Sequence, residues 1–503
     1  MYGVTHVLAI DLGTTGLKVA IVRDDGAVVA LAGRPIAMQY VVGGGVEQDA
    51  HEWWRLIADA SREALSTSGT NPAAIDAIVC TSQYMSVVPV AANGVPVGPA
   101  IMWMDRRGAE HTRTLRRGDN LSVWLDHHGL APFGADDLTH IALMRHESPD
   151  VYARAAAFVE PVDAITARLS GEVTANQNTA FPLLLIDNRS HGVTTYDTDL
   201  VTRADIDPAT LPRLVEMGSV VGHLSHAVAH ELGLRAGTAV LSGTIDSTTS
   251  AVGTGALSPD RCGVVIGTTS VAVSHVPTKR ADHARALMTA PSPIGTQHVV
   301  LAENGAGGKV LDHIAGLLGS TAAALIAAAA EAPPGCDGTM MLPWLVGAMA
   351  PSPDSSARAG FVGLSLGTTQ AHLARAVLEG VAINMATLLP AVEKFVGSTY
   401  TDVSFGGGAA ASALWGQILA DACGRTVHRV AEPRATNARG AALLAMHQLG
   451  ILAIDDLPRL IPVAQTHEPS AGSEAVFAEA AGRMVAAQDL LRGALTREEG
   501  AVA

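Results

Sequence analysis

Two aspartates and three glycine-bearing turns are the residues of this chain best suited to handling a phosphate. Phosphoryl transfer asks for backbone N–H groups and hydroxyls around the phosphates, a carboxylate for Mg²⁺ or its waters, and a second carboxylate beside the attacking hydroxyl. In VLAIDLGTTGLKVA, Asp11 ends an apolar run, Gly13 lets the backbone approach an anion, and Thr14 and Thr15 add hydroxyls. The same letters also suit an ordinary glycine turn capped by aspartate. RCGVVIGTTSVAVSHV repeats the pattern with Gly267, Thr268 and Thr269. One such turn says little, but two, each heading an α/β lobe, suggest an internal duplication with opposed phosphate-facing hairpins.

Asp246 lies at the carboxyl end of a short strand in the loop GTIDSTTSAVGTG, where few other residues could act as a base. Strand ends of this kind collect α/β sites, and a carboxylate there can accept the proton of an attacking hydroxyl. It could equally cap the following helix, and the two roles can coexist. In VSFGGGAAASALWGQILADACGRTV, Gly406, Gly407 and Gly408 read as a strand-to-helix turn on which a flat ligand could lie, its phosphates favoured by the helix N-terminus. A plain tight turn fits as well.

Some tempting patterns fail. NGAGGKV lacks both ends of the GxxxxGK[ST] phosphate loop, having Glu303 where the first glycine belongs and Val310 after the lysine, and reads as a helix start. His223, His226 and His230 have helical spacing, yet no carboxylate or cysteine partner signals zinc. No GxSxG nucleophile elbow occurs.

The elements that must position these groups are legible. Residues 6–36 read as three strands, with Asp24-Asp25-Gly26 as the second turn. A helix is predicted over 49–67, with Asp49 as N-cap and Glu52 as its reciprocal partner, followed by a strand over 75–81. This order opens an RNase H-like unit. HAVAHELGL reads as a helix stopped by Gly237, then a strand at TAVLSG, with a hinge over 243–255. The alanine-rich stretch 322–332 reads as helix, and AVFAEAAGRMVAAQDLLRGAL as a terminal helix packing back on the body. The division expected is 1–243, 244–449 and a tail 450–503.

With 503 residues, 48% hydrophobic and 16% charged, the chain has the length for two large lobes and a ligand cleft between them. A formal charge of −15 argues against nucleic-acid or anionic-membrane partners. Cys80, Cys262, Cys336 and Cys423 are widely spaced and suggest neither disulfides nor a zinc cluster. The absence of a secretory signal and of a long apolar span leads to the expectation of a cytoplasmic protein.

In combination, DLGTTGLKVA, EQDAHEWW, PAIMWMDRR, SPDVYARAAAFVEPVDAITARLSGE, GTIDST, GFVGLSLGTTQAHLARAVLEGVA, the triple-glycine segment and NARGAALLA resemble the FGGY carbohydrate kinases, most closely their xylulokinase-like branch. The resemblance spans nearly the whole chain. It implies two RNase H-like (actin-like ATPase) domains around a cleft, ATP with Mg²⁺, and γ-phosphate transfer to a sugar or polyol hydroxyl. By motif, Asp246 takes the catalytic-base position and also touches substrate. Asp11, Gly13, Thr14, Thr15 and Lys18 form the first phosphate hairpin, with Asp11 toward the metal. Gly267, Thr268 and Thr269 form the second, and Gly406, Gly407, Gly408 and Gln417 the adenosine region. Sugar contacts fall on Gln83, Tyr84, Met85, Trp103 and Asp105, an aromatic wall with a polar rim. A homodimer is compatible with this reading.

Two departures stand out. Gln83-Tyr84-Met85-Ser86 replaces the Gln-Met-His-Gly usual in xylulokinases, and Ala348-Met349 replaces a common Glu-Arg. Another ketose, a modified pentose or a polyol therefore competes with xylulose as substrate. GLK after the threonines sits nearer the xylulokinase pattern than the SSR of glycerol kinases. The readings from other classes are an actin-like ATPase with an assembly output and a catalytically silent sugar sensor.

Overall fold

The run His6–Pro35 folds back on itself twice, as its apolar alternation and Asp-Gly turn predict. In the computed structural model, which describes residues 4–491, strand His6–Leu12 pairs antiparallel with Gly16–Arg23, which pairs antiparallel with Val28–Pro35. Gly26 turns the second corner at φ +81°, a conformation that disfavours side chains with a Cβ. On its other side His6–Leu12 pairs in parallel with Ile75–Ser82, and Ala239–Leu241 and Thr244–Ile245 also run parallel to Ile75–Ser82. The result is a seven-stranded sheet.

The second half repeats this plan. Gly263–Ile266 pairs antiparallel with Thr269–Val273, which pairs antiparallel with His298–Ala306, while Asp402–Gly406 joins Gly263–Ile266 in parallel. Thr426–Val430 and Val463–His467 extend a nine-stranded sheet. The duplication suggested by the two Gly-Thr-Thr turns is thus a duplication of topology.

Helices cover both sheets. Ala50–Ser68 begins at Asp49, whose carboxylate accepts the His51 N–H at 2.8 Å. The reciprocal bond expected of Glu52 is absent, because that side chain reaches Arg55 at 3.2 Å instead. The helix His226–Leu232 stops at Gly233, in the left-handed region at φ 75°, four residues before the expected Gly237. The helix Gln370–Val396 is long and apolar enough to cross a membrane, but it is mostly buried inside the molecule as a core helix of the second lobe. The alanine-rich stretch is helical over Ala322–Ala329. The terminal helix runs Ser473–Leu491 and packs on Gln370–Val396 and Ala413–Cys423. The remainder of its expected span, 492–495, lies outside the described residues. All four cysteines are free.

Between the sheets, helix Asp246–Thr254 lies against helix Thr436–Gln448 at backbone distance. A Cβ on Gly253 would collide with the Thr436 carbonyl, and one on Gly440 with that of Thr249. The small face of Thr436–Gln448, made by Ala438, Ala441, Ala442 and Ala445, packs on Val7, Ala9, Ala20 and Val79 of the first sheet. Fully buried Arg439 donates from Nε to the Gly26 carbonyl at 3.1 Å and from Nη2 to Glu432 at 2.7 Å, which satisfies a charge that burial would otherwise penalise.

Candidate active site

The Gly13 N–H donates to the Gly16 carbonyl at 3.0 Å and closes the first turn. Antiparallel register sets Asp11 opposite Lys18, and their side chains form an ion pair of 2.9 Å with the carboxylate almost wholly buried. The two threonines of the turn point in different directions. Thr15 meets Thr268 of the second hairpin, hydroxyl to hydroxyl, at 3.0 Å. Thr14 turns instead toward the residues assigned to sugar: its hydroxyl donates to Gln83 Oε1 at 2.9 Å and accepts from Trp103 Nε1 at 3.2 Å. Gln48 braces this turn from below, donating to the Thr14 carbonyl at 2.7 Å and accepting from Trp53 Nε1 at 3.1 Å.

In the second hairpin the Gly267 N–H donates to the Thr269 carbonyl at 2.8 Å. Open space lies where a Gly267 Cβ would stand, so the backbone is accessible to a ligand. Onto this turn docks the segment NGAGGKV, with Gly307 N–H donating to Thr268 at 3.0 Å and Gly308 N–H to Gly267 at 2.7 Å. A Cβ at either glycine would strike the turn's carbonyls. The segment is indeed a helix start, opening Gly308–Leu317, and its glycines bring that N-terminus against the second hairpin.

Asp246 is the first residue of helix Asp246–Thr254 and is only partly exposed. Burial pushes its carboxyl well above the ordinary carboxylate range, and negative Glu303 and Asp11 push it further. The Ser247 N–H and the Lys18 ammonium pull the other way. Glu303, on strand His298–Ala306, is raised to about 7 by burial, against a hydrogen bond from Tyr84. That bond runs from the Tyr84 hydroxyl to Glu303 Oε1 at 3.3 Å. Tyr84 is itself pushed up by burial and then by the charges of Glu303 and Asp246. Asp11, Asp246, Glu303 and Tyr84 therefore share one electrostatic environment between the lobes.

The loop carrying Tyr84 is held from behind. Met85 occupies the left-handed region at φ 60°, its N–H donating to Glu160 Oε1 at 2.8 Å. The Ser86 hydroxyl accepts the Trp103 N–H at 3.1 Å. Asp105 differs from the other sugar-side candidates: it is fully buried, its carboxylate taken up by Val46 N–H at 2.9 Å and by Arg107 Nη2 at 2.6 Å.

At the far end, Gly406 closes its strand and Gly407 takes φ 83° with its Cα against the Ile266 backbone. Gly408 faces open space. A short 3-10 turn, Gly408–Ala411, then intervenes before helix Ala413–Cys423, which Ser412 caps. The glycines thus do not sit directly at the α-helix N-terminus as expected. Gln417 is tied to the C-terminal segment, donating to the Glu468 carbonyl at 2.8 Å and to Asp421 at 3.0 Å.

Sequence reasoning passed over Glu303, Gln48 and Glu160 as site residues. For Glu303 a signal existed, an acid directly after the apolar run VVLA of strand His298–Ala306. Among the described residues no group of three or more His, Cys, Asp or Glu side chains could hold a metal by itself, the three helically spaced histidines included.

The sequence matches the FGGY family of carbohydrate kinases, N-terminal domain, over residues 6–253 and the C-terminal domain of the same family over 262–449. It is 27% identical to a xylulose kinase of Bacillus subtilis over 445 residues, covering 88% of this chain and 87% of that protein. To a glycerol kinase of Citrifermentans bemidjiense it is 30% identical over 463 residues, covering 89% and 91%. Among solved structures, xylulose kinase from Rhodospirillum rubrum superposes with a TM-score of 0.81 at 26% identity, over 98% of this chain and 100% of that one. Gluconate kinase from Lactobacillus acidophilus shares the fold, with a TM-score of 0.84 at 19% identity over 98% and 99%. The two matched domains, together with the duplicated sheets and the hairpins that meet between them, make this chain a member of the FGGY family of carbohydrate kinases.

Proposed function

We propose that this chain transfers the γ-phosphate of ATP to a hydroxyl of a small ketose or polyol, with xylulose or a related pentulose as the leading acceptor. The observation that carries the reading is the partly buried Asp246 carboxyl between the lobes, its proton affinity raised by burial, Glu303 and Asp11. A carboxylate so tuned accepts the proton of the attacking hydroxyl at neutral pH more readily than an ordinary aspartate. Asp246 is the base, and Tyr84, Gln83, Trp103 and Glu303 line the acceptor pocket. The Gly13–Thr15 and Gly267–Thr269 turns hold the phosphates, and the Gly406–Gly408 turn takes the adenosine.

The donor set suits Mg²⁺ carried in with ATP. Beside phosphate oxygens and water, the protein group that would hold the ion is the buried carboxylate of Asp11 in the first hairpin. When bound, the ion neutralises charge on the phosphates. Lys18, paired with Asp11, keeps the carboxylate turned inward. Closure of the lobes excludes water, which limits hydrolysis of ATP without an acceptor. Consumption of ATP accords with a cytoplasmic setting.

A polyol acceptor is the second reading, favoured by the 30% identity to a glycerol kinase. ADP release measured against ketoses, aldoses and polyols, with a no-acceptor control, separates the two. Release that ignores every acceptor would overturn the kinase reading in favour of an ATPase, and acceptor-dependent release supports it.

A further inference from the structure

Ile245, which precedes Asp246, has no side-chain hydrogen bond to offer the start of its helix. Two asparagines from a distant turn grip the backbone there. Asn176 donates from Nδ2 to the Gly243 carbonyl at 2.8 Å, and Asn178 accepts the Ile245 N–H on Oδ1 at 3.0 Å. Both side chains are fully buried. Asn176 Oδ1 in turn accepts the Asn178 N–H at 2.9 Å, so the two act as one brace.

Asn178 reaches further. Its Nδ2 donates to Thr248 Oγ1, in the first turn of the helix, at 3.0 Å and to the Pro291 carbonyl at 2.7 Å. Pro291 ends strand Leu287–Pro291 of the second sheet. One amide therefore joins a turn of the first lobe, both sides of Asp246 along the chain, and an edge region of the second lobe. Such a fully bonded, buried amide has one arrangement only, because rotating it would leave donors facing donors.

We propose that Asn178 is a positioning residue that aims Asp246 and couples that aim to the placement of the second lobe. Strand pairing of Thr244–Ile245 with Ile75–Ser82 and the Thr249 hydroxyl on the Asp246 carbonyl at 3.1 Å also hold this backbone; Asn178 adds a grip on both flanks, through Ile245 and Thr248, that reaches the second lobe. The inference rests on Asp246 being the base. A displacement of about 1 Å at the reacting atoms can cost about 100-fold in rate, so loss of the brace is read in turnover.

The test uses the full chain with ATP, Mg²⁺ and D-xylulose, or the acceptor most active in the panel. Asn178→Ala is expected to lower kcat by about 30–100-fold while KM for the acceptor and the Kd for ADP move less than about threefold. Asn178→Asp keeps the acceptor for Ile245 N–H, loses both donors, and falls between Ala and the parent. Thr248→Val removes one partner without changing shape, is expected to lose about threefold to tenfold in kcat, and carries the test should Asn178→Ala not fold. A folded Asn178→Ala or, failing that, Thr248→Val with kcat within twofold of the parent overturns the proposal. So does a fall in kcat and thermal midpoint accompanied by a comparable rise in KM and Kd, the mark of a merely structural residue. Asp246→Asn run alongside separates the two failures: full turnover there sinks the base assignment itself.

Discussion

Thr15 and Thr268, 253 positions apart, share a hydroxyl–hydroxyl hydrogen bond of 3.0 Å across the two lobes. The contact marks where the hairpin turns converge, and a phosphate arriving between them must exchange that bond for two of its own. Thr268→Ala is expected to raise KM for ATP by about 3–10-fold, with a smaller effect on KM for the acceptor. Steady-state kinetics with each substrate varied in turn checks this, and an acceptor-side effect alone would contradict it.

Asp246→Asn preserves shape but cannot take up a proton as a carboxylate does. Turnover is expected to drop at least 100-fold, the lower end of what a positioned base contributes, while ADP binding measured by calorimetry stays within about twofold.

Glu303 binds its proton more tightly in the fold, at about 7 against an ordinary 4.5. A group raised in this way favours the folded state below its unfolded value and loses that contribution as pH climbs through about 7. Glu303→Gln is therefore expected to melt a few degrees higher than the parent at pH 8, with the gap closing toward pH 4. Removing this negative neighbour also lowers the proton affinity of Asp246, so the acid limb of the kcat profile moves to lower pH. Melting curves and rate profiles across that range test both halves.

Trp103→Phe keeps an aromatic wall but deletes the indole N–H that Thr14 accepts at 3.2 Å. KM for the acceptor is expected to rise by about 3–10-fold with KM for ATP little changed. An equal change in both constants would place Trp103 outside the acceptor pocket.

Gly440→Ala sets a methyl group against the Thr249 carbonyl, where backbone must yield. Overpacking of this kind costs about 1–3 kcal/mol, and the upper end is expected because no side chain can swing aside. Denaturant unfolding of the variant measures it.

Much of this architecture could be read from the letters. The hairpin at Asp11–Lys18, its echo at Gly267–Thr269 and the helix opening at Asp246 all follow from apolar periodicity broken by glycine, which acts locally. What the letters hid depends on contacts remote in sequence. Thr14 and Thr15 are chemically alike, and only the tertiary packing of Gln83 and Thr268 sends one to each side. Asp105, expected to touch the sugar, has its oxygens bonded by Arg107, two residues on, and by the Val46 N–H of strand Gly45–Gln48, a contact no local pattern announces. Gln417, expected in the adenosine region, is bonded to a segment some fifty residues downstream, a partner its local sequence does not reveal. Glu303 lay within a failed phosphate-loop pattern, and only folding brings it to Tyr84.

The contact between helices Asp246–Thr254 and Thr436–Gln448 has a mechanical consequence. Where Gly253 and Gly440 meet carbonyls directly the two cylinders touch backbone to backbone, and beside that seam the Ser250 hydroxyl donates to Asn437 Oδ1 at 2.8 Å while Val252 packs with Leu443 and Leu444. Rolling one over the other would break that bond and press carbonyls into the opposing backbone, so the pair behaves as a fixed axle. Arg439, on the same helix, rivets that axle to the turn of the first sheet through the Gly26 carbonyl.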